Sequence, residues 1–150
     1  MSETFDRAKL FAELEDEERF VPHAYRDSRG LWTIGIGRLI DKSRGGRITR
    51  DEALYLLGHD VDEKERGLDA LEPRWRELDG DRQLVLLGMA FQLGIDGLRG
   101  FRDLWTSIRE YLDGGGQAAL DRAAAAMLDS LWATQTEARA KRLAARMRTG

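Results

Sequence analysis

Two carboxyl groups and one hydroxyl in the first quarter of the chain have the spacing of a sugar-cleaving site. Glu18 is followed by Asp27 nine residues later and by Thr33 six residues after that. Cleavage of a glycosidic bond needs one carboxylic acid to protonate the leaving oxygen and a second carboxylate to activate water or stabilise the charged transition state. A threonine hydroxyl can orient that water. The three residues therefore supply a full set of groups for glycoside cleavage.

The distance between two such carboxyl groups decides the stereochemical outcome. It is about 6.5–9.5 Å in inverting enzymes, which admit a water molecule, and about 5–5.5 Å in retaining ones. The sequence leaves that distance open. A glutamate in an acidic helix and an aspartate beside a turn are also common surface residues, so the surrounding elements carry much of the argument.

A helix and a hairpin are predicted to position the three residues. Helical spacing of apolar residues predicts a helix over residues 6–18, with Pro22 marking its exit. Residues 23–36 are rich in β-branched and aromatic side chains around a turn-like Ser-Arg-Gly and predict a hairpin. Glu18 then ends the helix, Asp27 ends the first strand, and Thr33 lies in the second.

The remainder of the chain reads as mostly helical. A short strand is predicted at residues 47–48, and a capping box of Thr49 and Glu52 opens a helix that runs to about residue 71. Further helices are predicted over residues 81–93, ending at Gly94, and over 101–112, 117–131 and 135–147. We therefore expect a single α+β domain, 1–150, with an N-terminal helix (1–19), a β-rich lobe (20–48), a connecting helix (49–72) and a larger helical lobe (73–150).

Composition excludes several functions and partners. The chain has no cysteine, so disulfides and a cysteine nucleophile are excluded. Its net charge is −3 and no recognition motif is present, so we expect no nucleic-acid partner. Neither a signal peptide nor an apolar run long enough to span a bilayer is visible, so we expect no membrane insertion. We also expect the chain to be a monomer.

No metal or other cofactor is expected. Residues 41–52 overlay the EF-hand calcium pattern at four positions, but two arginines lie inside the loop and the loop follows a strand. His23 and His59 are too few and too far apart in sequence for a zinc site. The four tryptophans could stack on sugars, although their spacing favours core packing for most of them.

A longer series of residues runs through nearly the whole chain in one order. It comprises Glu18, Tyr25, Asp27, Gly30, Thr33-Ile34-Gly35-Ile36-Gly37, Leu39, Gly46, Ile48-Thr49, Asp51-Glu52-Ala53, Asp60-Val61-Asp62, Met89, Phe91-Gln92, Gly94, Gly97, Gly100-Phe101, Ser130, Trp132, Gln135-Thr136, Arg139-Ala140-Lys141-Arg142 and Arg148-Thr149-Gly150. In this series the chain resembles the phage lysozymes of glycoside hydrolase family 24. The resemblance implies a two-lobed, mostly helical lysozyme-like fold.

By this resemblance, Glu18 is the general acid, Asp27 the second carboxylate and Thr33 the water-orienting hydroxyl of an inverting hydrolysis. The bond would be the β-1,4 link from N-acetylmuramic acid to N-acetylglucosamine in peptidoglycan, the expected substrate. The family also implies three supporting residues, an arginine that pairs with the acid and two cleft residues that touch the sugar: Arg139, Leu39 and Phe91.

Several positions depart from the family pattern, among them two family sugar contacts that fall on Leu104 and Ala126 and are not carried over, and two positions close in sequence to the predicted catalytic residues. The family usually has glycine directly after the catalytic glutamate, where this chain has Arg19. The family histidine after Gly-Ile-Gly is Arg38 here, and the aspartate with which it pairs is matched by Asp60. We therefore expect an ion pair between Arg38 and Asp60.

The resemblance implies a phage endolysin or a related bacterial lysozyme. As an endolysin it would be made in the host cytoplasm and act on the periplasmic wall after release through a membrane lesion. Two alternatives stay open. A lytic transglycosylase needs one acid and cyclises the muramic acid, which the presence of Asp27 and Thr33 argues against. A lysozyme-like binding or scaffolding module without activity is disfavoured by the complete set of three residues, whereas Arg19 leaves it open.

Overall fold

The computed structural model describes residues 6–41 and 46–150. The chain divides into two compact units, Met1–Leu54 and Tyr55–Gly150, with the boundary inside one helix. Residues 42–45, which belong to the calcium-like pattern, lie outside the described residues. The expectation of a mostly helical α+β fold is confirmed.

The first unit is a helix followed by a three-stranded antiparallel sheet. Helix α1, Arg7–Glu18, begins where the Asp6 carboxylate accepts a hydrogen bond from the N–H of Lys9 at 3.1 Å. Strands β1, β2 and β3 follow in sequence order across the sheet: Phe20–Arg26, Trp32–Ile36 and Arg38–Asp41. The predicted helix and hairpin are confirmed.

The third strand differs from its prediction. The prediction of a strand over residues 47–48 is wrong, because residues 46–49 form no strand. Instead, β3 follows β2 after a single residue, Gly37. Gly37 has a φ of 64°, a left-handed conformation that glycine adopts at little cost. The chain therefore reverses at once, and Ile34 pairs with Arg38.

Helix α2, Arg50–Leu71, begins with the predicted capping box. The Thr49 N–H donates to Glu52 Oε2 at 2.7 Å, and the Glu52 N–H donates to Thr49 Oγ1 at 3.2 Å. Arg38 forms an ion pair with Glu52. The Thr49 N–H and the Arg38 guanidinium together hold the pKa of Glu52 below its ordinary value. A pair of Arg38 with Asp60 would join residues of different units and stays a prediction.

The second unit is built of the rest of α2 and further helices. They are a 3₁₀ turn, α3, α4, a π-helical turn, α5, α6 and α7, with bounds Pro73–Glu77, Gly80–Arg99, Arg102–Glu110, Tyr111–Gly115, Gly116–Leu128, Leu131–Gln135 and Glu137–Thr149. Neither of the two turns nor α6 was predicted from the sequence. Helix α6 is a single short turn of helix that begins where the Ser130 hydroxyl accepts from the N–H of Ala133 at 3.1 Å.

The predicted helix end at Gly94 agrees with the backbone. Gly94 has φ 73° and ψ 165°, which is not helical, so two helical segments of α3, residues 80–93 and 95–99, meet there at a kink. The second, short segment was not predicted. It carries Leu98, which is fully buried.

The hydrophobic core described by the structure lies in the second unit. Its largest fully buried side chains are Leu68, Trp75, Val85, Leu86, Met89, Leu98, Leu104, Ile108, Met127 and Met147. Burying each such aliphatic side chain contributes about 1.5–3 kcal/mol. Trp105 and Trp132 are buried there with Trp75, and each of the three indole N–H groups has an acceptor: Asp69 for Trp75, Leu98 for Trp105 and Gln92 for Trp132.

One buried arginine joins the first turn of α3 to the end of α7. Arg82 Nε donates to the carbonyl of Met147 at 2.8 Å, and Nη2 donates to the carbonyl of Arg148 at 3.2 Å. Nη1 bonds the Asp79 carboxylate. Burial raises the pKa of Asp79, but the hydrogen bonds from Arg82 outweigh it and the pKa lies below 3.8. The terminal carbonyls of α7 thus have donors inside the protein.

In residues 6–41 and 46–150, no single helix is long and apolar enough to cross a membrane. The two segments Gly80–Arg99 and Arg102–Leu128 reach that length and composition only when taken together, and they are bent by 99° relative to each other.

The residue after α1 has a backbone conformation that favours glycine. Arg19 has φ 63° and ψ 150°, and its N–H donates to the carbonyl of Glu15 at 2.9 Å to close the helix. A side chain with a Cβ in this region costs about 1–3 kcal/mol, because the Cβ crowds the neighbouring backbone. The departure from the family glycine therefore stores strain beside Glu18.

We expect Arg19→Gly to raise the free energy of unfolding by about 1 kcal/mol. Relief of the backbone strain stabilises the folded state, and the greater conformational entropy of glycine in the unfolded state offsets part of that gain. Urea denaturation measures it. Arg19→Ala is the matched control, since it removes the guanidinium but keeps the Cβ, and it should give no such gain. Equal stabilisation by both variants would mean that the guanidinium, not the backbone, is the source of strain.

A second set of charged contacts gives the fold a dependence on pH. Asp69 accepts hydrogen bonds from Arg76 Nε at 2.6 Å and Nη2 at 2.9 Å, and from the Trp75 indole at 2.8 Å. The Arg76 and Trp75 donors hold the pKa of Asp69 below its ordinary value of 3.8. A carboxyl with a lowered pKa in the folded state stabilises the fold above its unfolded value, and this stability is lost as the pH falls through the folded value.

We expect Asp69→Asn to lower the melting temperature at pH 7 and to flatten its decline between pH 5 and pH 2, because the amide does not titrate. Thermal unfolding followed by circular dichroism across this range measures both effects. Asp62→Asn is the control, since Asp62 is exposed and accepts no hydrogen bond from the described residues. If the melting temperature of Asp69→Asn fell between pH 5 and pH 2 in parallel with that of the wild type, Asp69 would not be a source of the pH dependence.

Candidate active site

Glu18, the last residue of α1, packs against the turn between β2 and β3. A Cβ added to Gly37 would lie 2.6 Å from Glu18 Oε2 and 2.8 Å from its carboxyl carbon, closer than such atoms approach. A Cβ here would therefore displace the carboxyl group, which is the end of an exposed side chain, and the φ of 64° separately favours glycine at this turn. The Glu18 carboxyl group thus packs against Gly37, the second glycine of the Gly-Ile-Gly run.

Asp27 is half-buried and begins the turn between β1 and β2. Its Oδ1 accepts the N–H of Arg29 at 2.8 Å and the N–H of Leu31 at 2.9 Å. The turn is closed by the N–H of Gly30, which donates to the Asp27 carbonyl at 2.9 Å. Oδ1 thereby holds the loop, while Oδ2 accepts no hydrogen bond from the part of the chain that the structure describes. That second oxygen is available to a water molecule.

Thr33 lies in β2 and is 4% exposed. Its Oγ1 donates to the carbonyl of Leu31 at 3.2 Å. It pairs across the sheet with Tyr25 on β1 and with Leu39 on β3. Because the hydroxyl hydrogen is directed to Leu31, the oxygen lone pairs are oriented away from it and can accept a hydrogen bond from water.

One peptide segment joins the second carboxylate to the hydroxyl. The N–H of Leu31 donates to Asp27, and its carbonyl accepts from both Thr33 Oγ1 and the N–H of Asp27. Asp27 and Thr33 are therefore held by the same residue. The first unit brings together a carboxylate and a hydroxyl at one end of β2 and places a second carboxyl group beside the other end.

The supporting residues are partly described by the structure. Leu39 is half-buried on β3, next to Thr33 in register. Phe91 on α3 is 47% exposed, which favours a surface role over core packing. Arg139 on α7 is half-buried and Nη2 donates to the carbonyl of Gly88 at 3.4 Å. Glu18 belongs to the other unit, so its pairing with Arg139 stays a prediction.

Sequence reasoning quoted Gly37 and passed over Leu31, and assigned neither a role. Leu31 acts through its backbone, which leaves no signal in residue type. Gly37 was visible in the sequence as the end of the single Gly-Ile-Gly run, but its contact with Glu18 depends on the meeting of α1 and β2. Among the described residues, no group of three histidine, aspartate or glutamate side chains is close enough to hold a metal ion.

The tryptophans separate into two classes. Trp75, Trp105 and Trp132 are at most 4% exposed, which agrees with core packing. Trp32 on β2 is 41% exposed. It is therefore the tryptophan whose ring reaches the surface.

Comparison with known proteins places the chain in a family. The family model described as "Phage lysozyme" matches residues 15–146. The chain is 31% identical over 84% of its length to the pre-baseplate central spike protein Gp5 of Enterobacteria phage T4, of which it spans 25%. It is 27% and 25% identical to probable T4-type lysozymes 2 and 1 of Dictyostelium discoideum, over 84% of this chain and 85% of each lysozyme. The chain belongs to the phage lysozyme family.

Proposed function

We propose that the chain is a muramidase that hydrolyses the β-1,4 bond between N-acetylmuramic acid and N-acetylglucosamine in peptidoglycan. The observation that carries the proposal is the Leu31 backbone, which holds the turn residue Asp27 and the strand residue Thr33 at one end of β2, while Glu18 packs against Gly37 just beyond the other end. Membership of the phage lysozyme family supports it. So do the printed names of two relatives, both probable T4-type lysozymes.

In the proposed reaction, the Glu18 carboxylic acid donates its proton to the glycosidic oxygen as the carbon–oxygen bond breaks. A water molecule attacks the anomeric carbon from the opposite face. Asp27 Oδ2 takes a proton from this water, and the Thr33 oxygen accepts its other hydrogen and so fixes its direction. The step is an inverting hydrolysis that needs no metal or cofactor.

Three further residues have proposed supporting roles. Arg139 would hold the Glu18 carboxyl group in the orientation that protonates the leaving oxygen. Leu39 and Phe91 would contact the sugar, Leu39 from the rung next to Thr33 and Phe91 from an exposed position on α3. Apolar contacts of this kind orient a saccharide ring without adding charge to the site.

We also propose a biological setting. The chain acts as a monomeric endolysin, made in the host cytoplasm and reaching the periplasmic wall through a membrane lesion. The relative Gp5 of phage T4 is named a central spike protein, which is a different setting for a related segment, and this chain spans a quarter of its length.

Glu18→Gln should lower the rate of clearing of outer-membrane-permeabilised Gram-negative cells by about 10²–10⁴-fold, because the amide cannot donate the proton. Turbidity measures the rate. Glu17→Gln is the matched control, the same change at the preceding helical position, and should clear cells like the wild type. Equal clearing by wild type and Glu18→Gln would overturn the role of Glu18. Clearing by neither would favour a binding module.

Asp27 and Thr33 predict hydrolysis with inversion. Mass spectrometry of digested peptidoglycan should find reducing ends, and proton NMR of the fresh product should find the α-anomer, since water attacks opposite to the β bond. Ends in the 1,6-anhydro form would instead identify a lytic transglycosylase. A β-anomer would keep the hydrolase but replace inversion by retention.

A further inference from the structure

The side-chain amide of Gln92 on α3 has a fixed orientation. Trp132 Nε1 donates a hydrogen bond to Gln92 Oε1 at 2.9 Å. An indole N–H can only donate, so the group that meets it must be the amide oxygen and not the amide nitrogen. The Gln92 nitrogen therefore lies on the other side of the amide, with both of its N–H donors directed away from Trp132.

Trp132 is itself held in place. It is 4% exposed, and its ring meets the Phe101 ring edge to face, with the ring centroids 6.2 Å apart. Helix α6, which carries Trp132, is capped at its start by Ser130. Because a buried indole N–H without an acceptor costs free energy, the bond from Trp132 keeps the Gln92 amide in this one orientation.

Gln92 differs from two other glutamines of the second unit. The amide nitrogen of Gln83 donates to two backbone carbonyls, at 3.1 and 2.7 Å, and that of Gln117 donates to a carboxylate and a carbonyl, both at 3.0 Å. Those two amides use their N–H groups to hold the fold. The Gln92 nitrogen donates to no acceptor within residues 6–41 and 46–150, so in this part of the chain its N–H groups are unused.

Two residues with proposed roles at the substrate are neighbours of Gln92. Phe91, a proposed sugar contact, is the preceding residue of α3 and is 47% exposed. Gly88, one helical turn earlier, accepts a hydrogen bond from Arg139 Nη2 at 3.4 Å, and residues four positions apart lie on the same face of a helix. The Gln92 amide is therefore close to both supporting residues that the second unit contributes to the proposed reaction.

We propose that Gln92 determines specificity for the N-acetyl groups of the glycan, with its amide nitrogen donating to an acetamido carbonyl. This role rests on the proposed muramidase function and names a substrate group that the second unit recognises. An amide N–H pairs with a neutral carbonyl without burying a charge. A free amino sugar would instead present an ammonium group, which has only donors and would leave the Gln92 N–H groups without an acceptor.

Other acceptors fit Gln92 less well. A carbonyl of the stem peptide could accept the same hydrogen bond, but both sugars of the proposed substrate carry an N-acetyl group. Whichever sugar contacts Phe91 therefore brings an acetamido group to the neighbouring residue, and its methyl group suits the apolar ring. A purely structural Gln92 would only have to accept from Trp132, and any side chain with an oxygen at the same place would serve equally well.

Gln92→Glu separates recognition from stability. The glutamate keeps an oxygen for the Trp132 indole and replaces the amide N–H groups by a second acceptor. The variant should melt like the wild type. It should raise KM for soluble, uncross-linked peptidoglycan about three- to tenfold with little change in kcat, because one neutral hydrogen bond to bound substrate is lost. Gln92→Met leaves the buried indole without an acceptor and should lower the melting temperature by roughly 4–8 °C.

The substrate is varied in the same assay. The wild type should prefer N-acetylated strands to chemically N-deacetylated ones, and Gln92→Glu should reduce this preference about tenfold, because its carboxylate attracts the ammonium group that deacetylation creates. Gln135→Glu, the same change at an exposed glutamine of α6, is the matched control and should keep the wild-type KM and preference. Strands freed of stem peptides should give the same ratio of KM values for Gln92→Glu and wild type.

Four results would overturn the role of Gln92 while hydrolysis by the wild type still supported a muramidase. The first is an unchanged KM in Gln92→Glu, and the second is an equal change in Gln135→Glu, which would attribute the effect to charge alone. The third is a KM ratio that disappears on peptide-free strands, since the acceptor would then be a stem-peptide carbonyl. The fourth is a lower melting temperature of Gln92→Glu, since the amide N–H groups would then hold the fold.

Equilibrium binding keeps this role distinguishable from the muramidase proposal. Binding to N-acetylated and N-deacetylated strands is measured in the Glu18→Gln background, with and without Gln92→Glu. The acetyl preference in binding should again fall with Gln92→Glu. If the wild type does not hydrolyse the strands but binds them with a preference that depends on Gln92, the role of Gln92 is supported and the muramidase proposal is overturned.

Discussion

The candidate site depends on one short piece of backbone. Leu31 donates its N–H to Asp27 and accepts from Thr33 and from the Asp27 N–H through its carbonyl. A single peptide segment thus sets the direction of a carboxylate and of a hydroxyl. Because both side chains are attached to the same hydrogen-bonded turn, their relative position is fixed by backbone geometry and not by long, flexible side chains. The Glu18 carboxyl group likewise lies against backbone, because its neighbour Gly37 has no side chain.

Local rules predicted the elements whose causes are local. The end of α1 at Glu18 and the capping box of Thr49 with Glu52 follow from residues three or four positions apart, and the structure has them. Glycines were harder to interpret. Gly37 and Gly94 both adopt positive φ. The break predicted at Gly94 is present, but the short helical segment that follows it was not predicted, and neither was the reversal of the chain into β3 at Gly37. Both depend on packing further along the chain, which no local pattern contains.

The candidate site was predicted by residue type more than by arrangement. Glu18, Asp27 and Thr33 were found from spacing and family pattern, while the contacts that orient them involve a backbone and a glycine. The two units also differ in what stabilises them. Every buried hydrophobic side chain of the described core lies between Leu68 and Met147, whereas the described buried residue of the first unit is Thr33. The first unit relies on hydrogen bonds, caps and an ion pair, so its opening free energy should lie at the low end for this chain.

The close packing of Gly37 against Glu18 bears on how a mutational scan of this chain would be interpreted. Any side chain at Gly37 would meet the carboxyl group at 2.6 Å and would also have to adopt a φ of 64°. Substitutions there would displace the acid from its rotamer and strain the turn at once. A residue with no functional group would therefore score as intolerant as the catalytic residues, and activity data alone would place it among them. The structure distinguishes Gly37 from a catalytic residue, because Gly37 contributes no reacting group and only leaves the space that the Glu18 carboxyl group occupies.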